Sequence, residues 1–211
     1  MGGNDGGAAE GRRVTGTERF VEAVETGARA MGLVLEQEQI HRMAIHAGEL
    51  LAWKEFADLT AITDPKELAE KQFLDVVALP EVVPLAARVL DIGSGGGFPG
   101  IPLKVLRSDL EIMLIDGRRR KVNFLKHVIR LLGLKGVATR QVRAEDMALE
   151  VRNGLGLFDV VVSKAVGDLR ALLRLSEPLL ERSGMLIAMK GASVAAELVA
   201  AGADLIVTGT A

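Results

Sequence analysis

The stretch Asp91-Ile92-Gly93-Ser94-Gly95-Gly96-Gly97-Phe98-Pro99-Gly100 constrains this chain more than any other. It follows a short apolar run, Arg88–Ile92, and leads into a helix. Glycines let the backbone turn sharply and approach a ligand closely, and a helix N-terminus favours negative charge. Asp116 stands at the end of the next apolar run, where a carboxylate can accept both hydroxyls of a ribose. A Gly-rich connection alone would be a plain turn. A loop this dense after a buried strand, with an acid at the next strand end, points to nucleoside recognition.

The rest of the chain fits a sheet around that loop. Apolar runs at Arg88–Ile92, Glu111–Ile115, Val137–Val142, Phe158–Val162, Met185–Met189 and Leu205–Val207 are predicted strands. Ile112-Met113-Leu114-Ile115 and Val160-Val161-Val162 lack in/out alternation, as parallel strands buried on both faces do. Between the strands, Val122, Leu125, Val128, Ile129 and Leu132 form a helical stripe ending near Gly133, and 168–181 form another helix closed by Ser183-Gly184. This alternation predicts a doubly wound, Rossmann-like α/β sheet over residues 85–211. Upstream, Ile40, Met43, Ala44, Ala47, Leu50 and Leu51 make an apolar helical stripe. Asp64-Pro65-Lys66-Glu67 reads as a helix start. Residues 17–84 are therefore a predicted helical cap, and the glycine-rich residues 1–16 a disordered tail.

Composition narrows the chemistry. The 211 residues include no cysteine, which excludes disulfides, thiol nucleophiles and cysteine-based zinc sites. With 49% hydrophobic residues, extensive disorder is not expected. No apolar run approaches the ~20 residues of a membrane helix. A net charge of −2 means that any nucleic-acid contact rests on local clusters. The expectation is a cytoplasmic monomer without membrane or metal.

The loop has two possible frames. Gly95, Gly97 and Gly100 satisfy the dinucleotide pattern G-x-G-x-x-G, a weak signal by itself. Phe98 and Pro99 then fall where a pyrophosphate needs free amides, and Pro99 has none. The other frame, Asp91-x-Gly93-x-Gly95-x-Gly97, resembles the first motif of class I S-adenosylmethionine-dependent methyltransferases and is favoured over NAD.

Further motifs extend that likeness. Leu50-Leu51-x-Trp53 with Leu59-Thr60-x-Ile62, Phe73-Leu74-Asp75, Arg120-Lys121-Val122-x-Phe124-Leu125, Arg143-Ala144-Glu145, Ser163-Lys164-Ala165 and Lys190-Gly191 occur in order around the loop. Together they resemble the RsmG (GidB) family of bacterial 16S ribosomal RNA guanine-N7 methyltransferases, over roughly 36–191. The resemblance implies methylation of guanine 527 by direct in-line transfer from S-adenosyl-L-methionine, on naked 16S RNA or a small-subunit particle. It implies donor contacts from Asp91, Gly93, Gly95, Gly97, Phe98, Asp116, Ala144, Glu145 and Lys164. It also implies site roles for Asp75, Arg143, Lys164 and Lys190. The chain departs from the family where Lys54 and Asp58 stand for Asn, Gln72 for His, Val76 for Ser and Lys164 for Arg. The resemblance further implies a last antiparallel strand, for which the sequence ends too early.

The remaining candidates are charges. Arg118, Arg119, Arg120 and Lys121 open the helix after Asp116, where cations oppose the helix dipole by roughly 0.3–1 kcal/mol each. They are either a solvated face or an RNA-phosphate contact, with one member pairing to Asp116 or Asp146 as a further option. His41, His46 and His127 are expected to be ordinary helix residues, and Trp53 core. Two other functions stay open: a small-molecule methyltransferase, which needs a closed apolar pocket, and a non-catalytic nucleoside- or RNA-binding paralogue.

Overall fold

The computed structural model describes residues 6–164, 167–191 and 197. Helices α1 (Gly6–Ala30) and α2 (Gln37–Ala57) come first. A helical run follows, with α3 (Pro65–Leu68), a π-turn at Ala69–Phe73 and α4 (Leu74–Val77), and a 3-10 turn at Leu79–Glu81 closes it. Asp64 caps α3 as its sequence suggests, accepting from the Glu67 amide at 3.0 Å, with Pro65 at the first helical position. Helix α1 already begins at Gly6, within the stretch expected to be a disordered tail.

Five strands follow: β1 (Arg88–Ile92), β2 (Glu111–Asp116), β3 (Val137–Gln141), β4 (Phe158–Lys164) and β5 (Leu180–Met189). All pair in parallel, in the order β3-β2-β1-β4-β5. The connections carry α5 (Gly100–Leu106), α6 (Arg119–Leu131), α7 (Ala144–Glu150) and α8 (Leu169–Ser176). The chain order reverses between β1 and β4, so the loop after β1 emerges at the topological switch point, where such sheets bind ligands. Ser163 ties the two strands there by donating to the Ile92 carbonyl at 3.0 Å.

The helix expected over 168–181 is shorter than its sequence suggests. It stops at Ser176, a 3-10 turn containing Pro178 follows, and Leu180–Gly184 already belongs to β5. Pro178 supplies no amide and ends the α-helical ladder. The strand expected at Leu205–Val207, and the question of a further antiparallel strand, lie outside the described residues.

The cap is not a separate domain. One buried cluster runs from Phe20 and Val24 on α1 through Met43 and Leu50 on α2 and Phe73. It continues into Val89, Leu114, Phe124 and Val160. Gly27 allows the close approach of α1 to α4, since a Cβ there would lie 2.1 Å from Leu74 Cδ1. The linker before β1 is held by Arg107, which donates to the carbonyls of Pro80, Val83 and Pro84 and pairs with Asp109 at 2.7 Å. Cap and sheet fold around a common interior.

Candidate active site

The glycine loop takes its shape from both sides. Gly93, Gly95 and Gly97 have φ of +72°, +53° and +93°, and the Phe98-Pro99 peptide is cis. Gly93 and Gly95 are half-exposed, whereas Ser94 and residues 96–100 are buried. The inner half is packed by α2 and by Ile101 of α5. A Cβ on Gly96 would lie 2.6 Å from Leu50 Cδ1, and one on Gly97 2.5 Å from Ile101 Cδ1 and 3.3 Å from His46 Nε2. The outer half is open, because a Cβ on Gly95 would meet nothing nearer than 3.7 Å. Glycine is required at 95 by its backbone angle, not by lack of room.

Asp116 completes the rim. Its Oδ2 accepts from the Gly95 amide at 3.1 Å and its Oδ1 from the Arg118 amide at 2.8 Å. Each carboxylate oxygen has a further lone pair, so the group remains able to accept ribose hydroxyls while it holds the loop. Backbone that is exposed at two glycines, with a carboxylate beside it, fits the nucleoside and amino-acid parts of S-adenosylmethionine.

Asp91 sits differently from the expectation of a donor contact. It is fully buried, with Oδ2 accepting from the Gly100 amide at 2.9 Å. Its Oδ1 is buried without a hydrogen-bond partner. Burial pushes this carboxyl well above the usual carboxylate range, against the Gly100 hydrogen bond, which lowers it. The side chain lies beneath the loop and braces the start of α5.

His46 is the residue that sequence reasoning missed. It is buried, its Nε2 lies 2.7 Å from the Gly96 carbonyl, and its ring stacks on Phe98 at 5.0 Å. A carbonyl only accepts, so Nε2 carries the proton. Desolvation lowers its pKa from 6.5 to about 4, with the Gly96 hydrogen bond opposing. The signal was present in the spacing: three residues after Met43 and four before Leu50 is the apolar face of α2.

The basic candidates separate into distinct groups. Lys164, at the end of β4, donates to Asp75 Oδ2 at 2.8 Å and to the Lys71 carbonyl at 2.6 Å. Its ammonium lies 5.9 Å from the Phe98 ring centroid. Asp75 and Lys164, expected to act separately, are an ion pair that ties the cap to the sheet. Lys190 faces inward, with a side chain 7% exposed, an ion pair to Glu197 at 3.0 Å and a hydrogen bond to the Gly167 carbonyl. That geometry supports the chain after β5 and does not present the ammonium to RNA. Arg143 is exposed at the N-cap of α7, its Cγ 3.4 Å from where a Gly117 Cβ would lie. Ala144 is half-buried and Glu145 exposed on the first turn of α7, beside the rim.

At the start of α6, Arg118, Arg119 and Arg120 are exposed. The Arg118 guanidinium pairs with Asp58 at 3.0 Å, while only its backbone amide meets Asp116. Lys121 turns towards the loop instead, its Nζ 3.9 Å from the Gly95 Cβ position. His127 pairs with Glu49 at 2.7 Å and stacks on Trp53 at 5.1 Å, joining α6 to α2.

Among the described residues no group of three or more His, Asp or Glu could hold a metal ion, and no helix is long and apolar enough to cross a membrane. A cavity of about 290 Å³ lies among Arg88, Glu111, Met113 and Phe158 at the opposite, amino-terminal ends of the strands. It takes no part in this site.

The sheet order, the loop at the switch point and the acid at the end of β2 define a class I S-adenosylmethionine-dependent methyltransferase. Solved structures share the fold. A Plasmodium falciparum chain described as a protein-L-isoaspartate O-methyltransferase, in complex with S-adenosyl-L-homocysteine, superposes with TM-score 0.50 at 18% identity, over 82% of this chain and 85% of that one. A Staphylococcus aureus chain described as a caffeoyl-CoA O-methyltransferase gives 0.51 at 13% identity, over 72% and 73%.

The family is narrower. The description "rRNA small subunit methyltransferase G" (GidB) matches residues 39–211. A ribosomal RNA small subunit methyltransferase G of Geotalea uraniireducens (strain Rf4) is 43% identical over 79% of this chain and 74% of its own length. Its counterpart in Geobacter sp. (strain M21) is 40% identical over 84% and 80%. The chain belongs to the rRNA small subunit methyltransferase G family.

Proposed function

We propose that this enzyme methylates N7 of guanine 527 in 16S ribosomal RNA, with S-adenosylmethionine as donor. Family membership supports the small-subunit RNA substrate. The observation that carries the donor is the open outer half of the loop, Gly93 and Gly95, with Asp116 on its rim.

When bound, the donor supplies an electrophilic methyl on a sulfonium sulfur. Guanine N7 has an in-plane lone pair and no proton. The N7–carbon bond forms as the sulfur–carbon bond breaks, the sulfur keeps the electron pair, and the positive charge passes to the base. Such a transfer needs alignment of three atoms more than it needs a general base. The side chains here are consistent with that requirement. His46 is neutral and committed to Gly96, Lys164 is committed to Asp75, and His127 is committed to Glu49. The loop backbone, open at Gly93 and Gly95, remains to orient the donor.

The test is incubation of small subunits, and separately naked 16S RNA, from a strain lacking the activity with labelled S-adenosylmethionine. Borohydride–aniline cleavage then locates 7-methylguanine. Cleavage at guanine 527 alone is the expected result. Label on an exocyclic amine or a ribose would overturn the assignment.

A further inference from the structure

The fold joins two features that lie far apart in the sequence: the exposed aromatic at the end of α2 and the arginines at the start of α6. The chain has six phenylalanines, and five of them are buried. Phe56 is 60% exposed. Its surroundings are organised. The Arg120 guanidinium lies over the ring at 5.3 Å from the centroid, and Arg120 Nη1 reaches the Phe56 carbonyl at 3.4 Å. Trp53 meets the ring edge-on at 5.8 Å. Two residues further on, Asp58 holds the Arg118 guanidinium at 3.0 Å.

This patch adjoins the donor rim directly, because the Arg118 amide is bound by Asp116, which in turn holds Gly95. The first turn of α6 contains no acidic residue, so nothing within the helix offsets its arginines against the dipole. An aromatic face with a guanidinium plane over it, beside further arginines at the start of α6, matches the chemistry of unpaired nucleotides. Their bases stack on aromatic rings and arginine planes while their phosphates meet the positive charge.

We propose that Phe56 and Arg120 form a stacking platform for an unpaired RNA nucleotide neighbouring the methylated base, with Arg118 and Arg119 taking its flanking phosphates. This rests on RNA being the substrate. Charge decides against an apolar protein partner: the exposed Arg120 guanidinium covers the ring, with exposed Arg118 and Arg119 beside it in the chain, and desolvating these charges against an uncharged surface would be unfavourable.

Four full-length proteins test it: wild type, F56A, F56L and F56Y. Binding of a single-stranded RNA oligonucleotide, and of its duplex as control, is measured by anisotropy, and the KM for small subunits is measured at saturating donor. F56L keeps apolar volume but removes the π face. F56A and F56L are expected to weaken single-strand binding and raise KM roughly 5- to 150-fold, with F56Y close to wild type. Emission from Trp53, the chain's one tryptophan, should be quenched by the single strand in wild type and F56Y and not in F56A. Donor affinity should be the same in all four. Wild-type affinity in F56L would reduce the contact to an apolar one of the kind a protein makes, and would overturn the platform. So would unchanged single-strand binding and KM in F56A. Failure of the wild type to methylate ribosomal RNA would refute the proposed function instead, and the oligonucleotide affinities would still decide the platform.

Discussion

Acidification should destabilise this enzyme through His46, and the effect can be isolated. The ring is buried, and its pKa falls from 6.5 to about 4 on folding. Between those values the unfolded chain binds a proton that the folded one does not, so stability rises with pH across that window. The His46 contribution is complete above pH 6.5 and is lost as pH falls towards 4. At about 1.4 kcal/mol per pH unit, the full loss is roughly 3 kcal/mol. Asp91 acts in the opposite sense. Its folded pKa is raised, so the folded chain protonates first and stability increases as pH falls through that region. The wild-type curve is therefore a sum, and only a difference is diagnostic. His46→Gln keeps a donor for the Gly96 carbonyl and never ionises, while Asp91 is common to both proteins. Urea unfolding of each at pH 7 and pH 4.5 supplies the comparison. The advantage of wild type over the variant should shrink by about 2–3 kcal/mol between those conditions. A difference independent of pH would mean that His46 is not held neutral beneath the loop, and the argument from its burial would fall.

Three further outcomes are expected. Asp116→Ala should weaken S-adenosylmethionine by roughly 1.5–3 kcal/mol in calorimetry, the range of a hydrogen bond to a charged group, while NAD shows no specific binding to either protein. Gly97→Ala combines a backbone angle of +93° with a contact of 2.5 Å to Ile101, so it should lower the thermal midpoint and reduce donor affinity together; a variant with normal stability and normal affinity would contradict the tight packing of Gly97 against Ile101 of α5. Replacing Arg118, Arg119 and Arg120 by Gln should flatten the salt dependence of RNA binding, because fewer counterions are released, and leave donor affinity unchanged; an unaltered slope would return these residues to a solvated face.

The strands and the donor loop were legible because their signals are local. Ile112–Ile115 and Val160–Val162 are continuous apolar runs, and both lie in the centre of the sheet. The loop announced itself through glycines whose positive φ values the structure bears out. What stayed hidden depends on distant partners. Lys164 and Asp75 were each assigned a separate role because nothing in the sequence says that 89 residues of separation close to a 2.8 Å ion pair. The resemblance implies a site role for Lys190, yet its burial against Gly167 and Glu197 depends on partners outside its own motif. Phe56 fell between two motifs and gained its surroundings only from Arg120, 64 residues later. The early end of α8 was local, and Pro178 was its available marker.

The ties between cap and sheet differ in strength, and the difference has a direction. On the inner side of the loop, His46 and Leu50 press against Gly96 and Gly97 within the common core. A buried hydrogen bond that loses its partner costs about 1–3 kcal/mol, so this side fixes the loop shape. On the outer side, Arg118–Asp58 is exposed at both ends, and exposed pairs of that kind contribute about 0–1 kcal/mol. An RNA phosphate can therefore displace Asp58 from Arg118 at little expense, whereas no ligand can displace α2 from beneath the loop without opening the core. The donor site is preorganised by the same helix whose last turn presents Phe56. RNA engagement at that end and the donor loop against His46 and Leu50 share one rigid element, and the weak contacts lie where the substrate would need to enter.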